Sequence, residues 1–323
     1  MGLLVDGKWV DRWYNTDSND GRFVRSAAQF RNWVTADGAP GSSGAGGFKA
    51  APDRYHLYIA YACPWAHRTM IYRSIKGLKD IISVSITHWF MGEFGWSFEE
   101  GPGVVADPIN DARYLHQIYT HADPNYSGRV TVPILWDKEQ NTIVSNESSE
   151  IIRMFNSAFD GVGAQPGNFL PTALEAEIDA VNERVYHTLN NGVYRCGFAT
   201  SQSAYEEAVL PLFETLDFLE QRLNESRYIA GDEITEADWR LLPTLLRFDA
   251  VYYGHFKCNL RRLSDYEKLS NYTRELYQYP GVAETFNFQH AKDHYYQSHE
   301  SINPTRIVPR GPQIDFDLPH NRH

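Results

Sequence analysis

DRYHLYIAYACPWAHRTMIYRSIKGLKDIISVSI, residues 53–86, decides the fold. Tyr55, Leu57 and Ile59 alternate with Arg54, His56 and Tyr58, the period of two that marks a strand with one face in a core. Residues 61–63 then turn. Pro64 opens a helix, because the N–H that proline lacks is one that a first helical turn leaves unused. Ala66, Met70, Ile71, Ile75 and Leu78 recur at helical spacing until Gly77-Leu78-Lys79-Asp80 punctuates the end. Ile82, Val84 and Ile86 alternate again, so the stretch reads as strand, helix, strand, one βαβ unit.

Cys63 sits at the junction of the first strand and the helix. The unpaired N–H groups of a helix's first turn and the positive end of its dipole favour a thiolate there. A free thiol has a pKa of about 8.5, and such a position brings it toward or below the physiological range. In Cys63-Pro64-Trp65-Ala66 the place of a second, resolving cysteine is taken by Ala66. A mixed disulfide at Cys63 therefore needs an external thiol to resolve it. Cys196 and Cys258 lack this context and read as structural.

Beyond residue 86 the pattern weakens through an aromatic-rich insertion with a helix near 112–121. It returns at VTVPILW (130–136), read as a strand that starts at Pro133 with the residues before it bent away. A second strand at 142–144 follows, then a helix over 147–159 on Ile151, Ile152, Phe155 and Phe159. From residue 171 the texture is helical. Tyr205, Val209, Leu212, Leu216, Leu219 and Leu223 step by four and three residues, an apolar stripe facing a core. Thr235 and Asp238 form a capping box before Leu241, Leu242, Leu245, Leu246 and Phe248, a helix apolar on several sides and hence central. The tail from Ser301, with prolines at 304, 309, 312 and 319, should run extended on the surface or on a neighbouring subunit. The first fifty residues form an N-terminal extension that closes in GAPGSSGAGG (38–47), expected as a mobile loop. The organisation is then an extension over 1–52, an α/β domain over 53–165 and an all-helical domain with its tail over 166–323.

The 323 residues suit about two domains at roughly 100 to 200 residues each. Acidic side chains outnumber basic ones, 41 to 30, giving a net charge of −11 that disfavours nucleic acid and anionic membrane as partners. MGLLVDGKWVDRW has no signal-peptide core, and no stretch nears the roughly 18 apolar residues of a membrane span. Three cysteines in so long a chain suit a reducing compartment, so a soluble cytoplasmic protein is expected. His290, His294 and His299 are spaced by four and five residues without a cysteine or carboxylate to complete a ligand set, and no metal is expected.

At Cys63-Pro64-Trp65-Ala66-His67-Arg68 the chain resembles the xi-class glutathione transferases, the glutathionyl-hydroquinone reductases. The likeness extends to Arg31-Asn32-Trp33, Thr35-Ala36-Asp37-Gly38, Ser127-Gly128-Arg129-Val130-Thr131-Val132-Pro133, Ser145-Asn146-Glu147-Ser148, Asn191-Gly192-Val193-Tyr194 and Ile302-Asn303-Pro304, nearly the whole length. It implies a thioredoxin-like N-terminal domain, a helical-bundle C-terminal domain and a homodimer. The order βαβ then ββα, read independently above, is what a thioredoxin-like domain requires.

The resemblance also assigns roles. Cys63 would be the nucleophile and Val132-Pro133 a cis turn. Trp96, Arg129, Val130, Thr131, Val132, Glu147 and Ser148 would bind glutathione as co-substrate. Tyr194, Tyr252 and Tyr295 would lie at the thiol and serve catalysis; among twenty tyrosines, only the likeness selects them. Trp65 and Trp96 would stack on a quinol ring or pack in the core. The activity implied is glutathione-dependent reduction of glutathionyl-hydroquinones. Two other readings share the same residues: an omega-like thioltransferase or dehydroascorbate reductase, and a glutathione-binding scaffold whose cysteine is not catalytic.

Overall fold

The computed structural model describes residues 2–322, which divide into two compact units. One gathers the chain up to Trp13, Ser26–Gly167 and Glu284–His294; the other gathers Tyr14–Arg25, Asn168–Ala283 and the chain from Tyr295. The N-terminal segment is thus shared between the units.

The first unit is built on a four-stranded sheet. β3 (Tyr55–Ile59) leads through α1 (Pro64–Ile75) to β4 (Ser83–Ile86), which pairs with it in parallel, while β6 (Ile134–Asp137) and β7 (Thr142–Ser145) complete the order β4-β3-β6-β7 antiparallel. α3 (Ser148–Ser157) follows β7 and packs against α1. The smaller sheet joins β1 (Leu3–Val5) to β2 (Lys8–Val10) and to β5 (Gly128–Arg129). α2 (Leu115–Ala122) lies between the βαβ unit and the cis turn in sequence.

Two expectations are corrected here, and between them the expected strand start at Pro133 is met to within one residue. β3 is buried at all five positions rather than on one face, because it is an interior strand of the sheet. Its polar side chains are satisfied internally: His56 contacts the Ser83 and Ser85 hydroxyls at 2.7 and 2.9 Å, and the Tyr58 hydroxyl donates to Asp107 at 2.9 Å. Alternation of polarity therefore misstated its burial. Residues 130–132 lie outside the main sheet, whose strand begins at Ile134 after the Val132-Pro133 bond, which is cis. The loop over 38–47 is tied down despite its poverty in side chains, because neighbours supply the partners. Trp33 donates to Ser43 at 2.9 Å, the Ala45 amide to Asn32 at 2.8 Å, and Arg54 and Gln140 both to the Gly47 carbonyl at 3.0 Å.

The second unit is helical: α4 (Glu175–Val185), α5 (Gly192–Gly197), α6 (Gln202–Glu225), α7 (Glu236–Arg247) and α8 (Glu267–Tyr277). The stripe on α6 is buried from Val209 to Leu223, and the capping box forms, with the Thr235 amide donating to Asp238 at 2.7 Å. The Asp238 carboxyl also accepts from Tyr272 at 2.7 Å, so this helix start is pinned to α8. Two segments are π-helical, Tyr186–Asn190 and Phe248–Tyr252. Helix α9 (Phe288–Ser298) carries the division between units, after His294. Among the described residues no helix is long and apolar enough to cross a membrane.

Candidate active site

Cys63 caps α1. Its backbone is extended (φ −78°, ψ 120°), and its sulfur accepts from the Ala66 amide at 3.5 Å. That amide is one of the orphan donors of the first turn, and donation to sulfur favours the anion. The thiol points the other way toward the Val132 carbonyl, 3.6 Å from Sγ, an acceptor that favours the protonated form. The sulfur is therefore held between an amide that stabilises the thiolate and a carbonyl that holds the thiol. Cys63 is half-buried, whereas Cys196 and Cys258 are buried. Burial, then the neighbouring Cys196, pushes the Cys258 thiol well above its usual range, as suits a structural residue.

The segment from Arg129 to Val132 is braced from three sides. The Arg129 guanidinium donates to the carbonyls of Arg12 and Trp13. Val130 is buried, and Thr131 is held by Tyr119, whose hydroxyl donates to the Thr131 carbonyl at 2.9 Å and lies 3.2 Å from its amide. Asn146 donates to the same hydroxyl at 3.0 Å and pairs with Phe30. Nothing in the pattern of residues singles out Tyr119, which reads only as one apolar position of a short helix.

Glu147 is the N-cap of α3, its Oε1 accepting from the amide and hydroxyl of Ser149 at 2.9 and 2.7 Å; Ser148 begins the helix and is buried. The α3 N-terminus presents amides suited to a carboxylate. Trp96 is buried and stacks on His294, ring centroids 4.6 Å apart, while His294 Nδ1 contacts the Trp89 carbonyl at 2.8 Å. Trp65 lies under the Arg68 guanidinium at 4.7 Å.

In the helical unit, Tyr194, Tyr252 and Tyr295, far apart in sequence, share one hydroxyl chain. Tyr295 OH is 2.5 Å from Tyr194 OH and 3.2 Å from Tyr252 OH. Burial, then the neighbouring Tyr194 and Tyr252, pushes the Tyr295 phenol well above its usual range, with Arg247 acting in the opposite direction. The Tyr295 phenol is thereby held in its neutral form near pH 7. Arg25 stands over the Tyr194 ring at 4.7 Å and donates to Asn191 at 2.8 Å. Behind Tyr295, His255 Nε2 meets His299 Nδ1 at 3.1 Å, and the His299 ring meets the Tyr295 ring edge-on at 5.3 Å. This histidine pair was also missed by sequence reasoning, which grouped His299 with His290 and His294. His290 instead contacts the Pro102 carbonyl at 2.6 Å. Among the described residues, no three His, Cys, Asp or Glu side chains are grouped to hold a metal.

A thioredoxin-like sheet with an N-capping cysteine, a cis proline beside it and a helical second unit defines a glutathione transferase. The chain matches the glutathione S-transferase N-terminal domain over residues 62–158 and the C-terminal domain over 202–275. It is 57% identical to the glutathionyl-hydroquinone reductase YqjG of Escherichia coli K12, across the whole chain and 98% of that protein. It is 58% identical to the glutathionyl-hydroquinone reductase PcpF of Sphingobium chlorophenolicum over 97% of this chain and 96% of that one. The glutathione-bound structure of YqjG superposes with a TM-score of 0.92 over 99% of both chains, and a xi-class transferase from Natrialba magadii with 0.93 over 100% and 97%, at 45% identity. The chain belongs to the xi-class glutathione transferases, the family of the glutathionyl-hydroquinone reductases.

Proposed function

We propose that the protein reduces glutathionyl-hydroquinones to hydroquinones with glutathione as co-substrate. The observation that carries the reading is the N-capping Cys63, its sulfur bonded by the Ala66 amide and with no second cysteine in the first turn of α1. Such a sulfur is an attacking thiolate that depends on an external thiol.

In the first step the Cys63 thiolate attacks the sulfur of the aryl thioether. A sulfur–sulfur bond forms, the aryl carbon–sulfur bond breaks with its electron pair going to carbon, and that carbon takes a proton. Cys63 is left in a mixed disulfide with glutathione, and the free hydroquinone departs. In the second step a glutathione thiolate attacks the mixed disulfide, releasing oxidised glutathione and the Cys63 thiolate. We assign the proton to Tyr194, with Tyr295 and Tyr252 completing its hydroxyl chain. The backbone of Val132 would pair with the cysteinyl unit of glutathione, drawing its carbonyl from the thiol and leaving the sulfur to the Ala66 amide. Arg129, Val130 and Thr131 would shape that edge, Trp96 would line the tripeptide's path, and Glu147 with the Ser148 amide would meet the γ-glutamyl ammonium and carboxylate.

We place the working form in the cytoplasm, where thiols stay reduced, as a homodimer. Sedimentation at twice the chain mass would be the expected result for the dimer. The reaction is tested with Cys63→Ala: glutathione-dependent cleavage of a glutathionyl-hydroquinone should fall to background while the melting temperature is kept. Retained turnover would end the proposal, and loss of disulfide exchange on non-aromatic substrates alone would favour the thioltransferase reading.

A further inference from the structure

Residues 14–25 of the N-terminal extension belong to the helical unit, where they run along the start of α6 and end on Tyr194. The segment is fastened before it reaches that ring. The Thr200 amide donates to the Gly21 carbonyl at 3.0 Å, the Ser201 hydroxyl donates to the Asp20 carbonyl at 2.9 Å, and Arg22 donates to both carboxylate oxygens of Glu207 at 2.8 Å. Gly21 has φ +82°, and a Cβ there would stand 2.6 Å from Ser201 Oγ and 2.8 Å from the Ser201 amide nitrogen. Glycine is what lets the two backbones approach this closely. Beyond the clasp, Phe23 is buried against Phe198, with ring centroids 5.3 Å apart, and its ring lies 6.5 Å from that of Tyr194.

Arg25 completes the cover. Its guanidinium stands 4.7 Å from the centroid of the Tyr194 ring, and its Nε donates to Asn191 Oδ1 at 2.8 Å. Asn191 is also the N-cap residue of α5, and its carbonyl accepts from the amides of Tyr194 and Arg195 at 3.1 and 3.0 Å. One asparagine therefore fixes the cation and opens the turn that carries the phenol. A guanidinium can bond through one edge and still lie over an aromatic ring, which suits arginine better than lysine to this place. Other arginines of the chain stand over aromatic rings, Arg261 over Tyr266 for one, but Arg25 covers the phenol to which the proton transfer is assigned.

We propose that Arg25 is a positioning residue of the reductase reaction, its charge stabilising the Tyr194 phenolate that remains once the phenol has given its proton to the aryl carbon. This rests on the reductase reading above and deepens it. One negative charge moves in that step. The Cys63 thiolate is consumed in the new sulfur–sulfur bond, the aryl carbon receives the electron pair of the broken carbon–sulfur bond and then the Tyr194 proton, and the charge ends on the Tyr194 oxygen. The thiol proton of the second glutathione restores the phenol, and the thiolate so formed resolves the mixed disulfide. A cation over the ring attracts a neutral phenol through its quadrupole and a phenolate through a full charge. The contact is thus stronger after proton transfer than before it, the condition for accelerating a step. The N-terminal segment would in this way serve the chemistry without touching the substrate.

The test is a single turnover, with the full-length protein in excess over S-glutathionyl-1,4-hydroquinone and no free glutathione, so that only the first step is read. Arg25→Gln should slow hydroquinone release about 10- to 100-fold, while the half-saturating protein concentration moves less than about threefold. Arg25→Lys, which returns the charge, should recover most of that loss. In a Tyr194→Phe background Arg25→Gln should change the rate less than about twofold, because the group it serves is gone. Should Arg25→Gln lower the melting temperature, Arg25→Met, which keeps an apolar chain over the ring, carries the same comparison. The proposal is overturned if Arg25→Gln costs as much in the Tyr194→Phe background as in the parent, if Arg25→Lys is as slow as Arg25→Gln, or if affinity is lost in place of rate. A parent protein that releases no hydroquinone would overturn the reductase reading itself, which keeps the two failures apart.

Discussion

The three hydroxyls of the tyrosine cluster hold unequal positions. Tyr295 stands in the middle, with a close contact to Tyr194 at 2.5 Å and a longer one to Tyr252 at 3.2 Å. Removing the hydroxyl of Tyr194 or Tyr295 should slow hydroquinone release by the 10²- to 10⁴-fold typical of a lost general acid, and Tyr252→Phe should cost less because its bond is weaker. Glutathione KM should move less than threefold in all three, since the substitutions are aimed at proton transfer. Equal losses in kcat and in glutathione affinity would show instead that the phenols only shape the pocket. At this scale the sequence was informative about Cys63, because the strand, turn and proline-led helix around it are local signals. The tyrosines were not legible in that way. They are separated by 58 and 43 positions and meet only through tertiary packing, so the family likeness had to supply them.

Among elements, α2 deserves more weight than its eight residues suggest. Tyr119 on that helix is fully buried, and burial raises its phenol above the usual range, so it acts as a neutral hydrogen-bonding hub for Thr131 and Asn146. It thereby ties the turn before the cis proline to Asn146, the residue before the N-cap of α3. Tyr119→Phe would leave those groups short of a partner, a stability loss of about 1 to 3 kcal/mol. The expected kinetic signature is a several-fold rise in glutathione KM with kcat at saturation little changed; the reverse pattern would detach Tyr119 from the binding edge. The stripe of α6 followed from periodicity because that helix buries one apolar face, from Val209 to Leu223. β3 did not, since an interior strand buries both faces and its polar His56 and Tyr58 are paired out of sight of any pattern. The π-helical segments Tyr186–Asn190 and Phe248–Tyr252 likewise leave no mark in composition, although the second ends on Tyr252 and the first lies just before Tyr194.

For the molecule as a whole, acid sensitivity should be set in large part by one histidine at the centre of the main sheet. His56 contacts two serine hydroxyls, and burial pushes its pKa down to about 4, with Asp107 acting the other way and Lys138 and Arg73 adding to the fall. The unfolded chain binds a proton there near the ordinary value of about 6.5, whereas the folded chain stays neutral. The stabilisation is therefore complete above that ordinary pKa and is lost progressively as pH falls from about 6.5 toward about 4. Its size follows from the shift at 1.36 kcal/mol per pKa unit, roughly 3 kcal/mol at most. Calorimetric melting in steps across this window should show the transition that includes the sheet moving to lower temperature as the buffer is acidified. His56→Gln, which keeps a polar group against Ser83 and Ser85 but cannot take up a proton, should start from a lower melting temperature and lose less of it over the same interval. A variant that tracks the parent through the whole window would place the acid-sensitive group elsewhere in the fold.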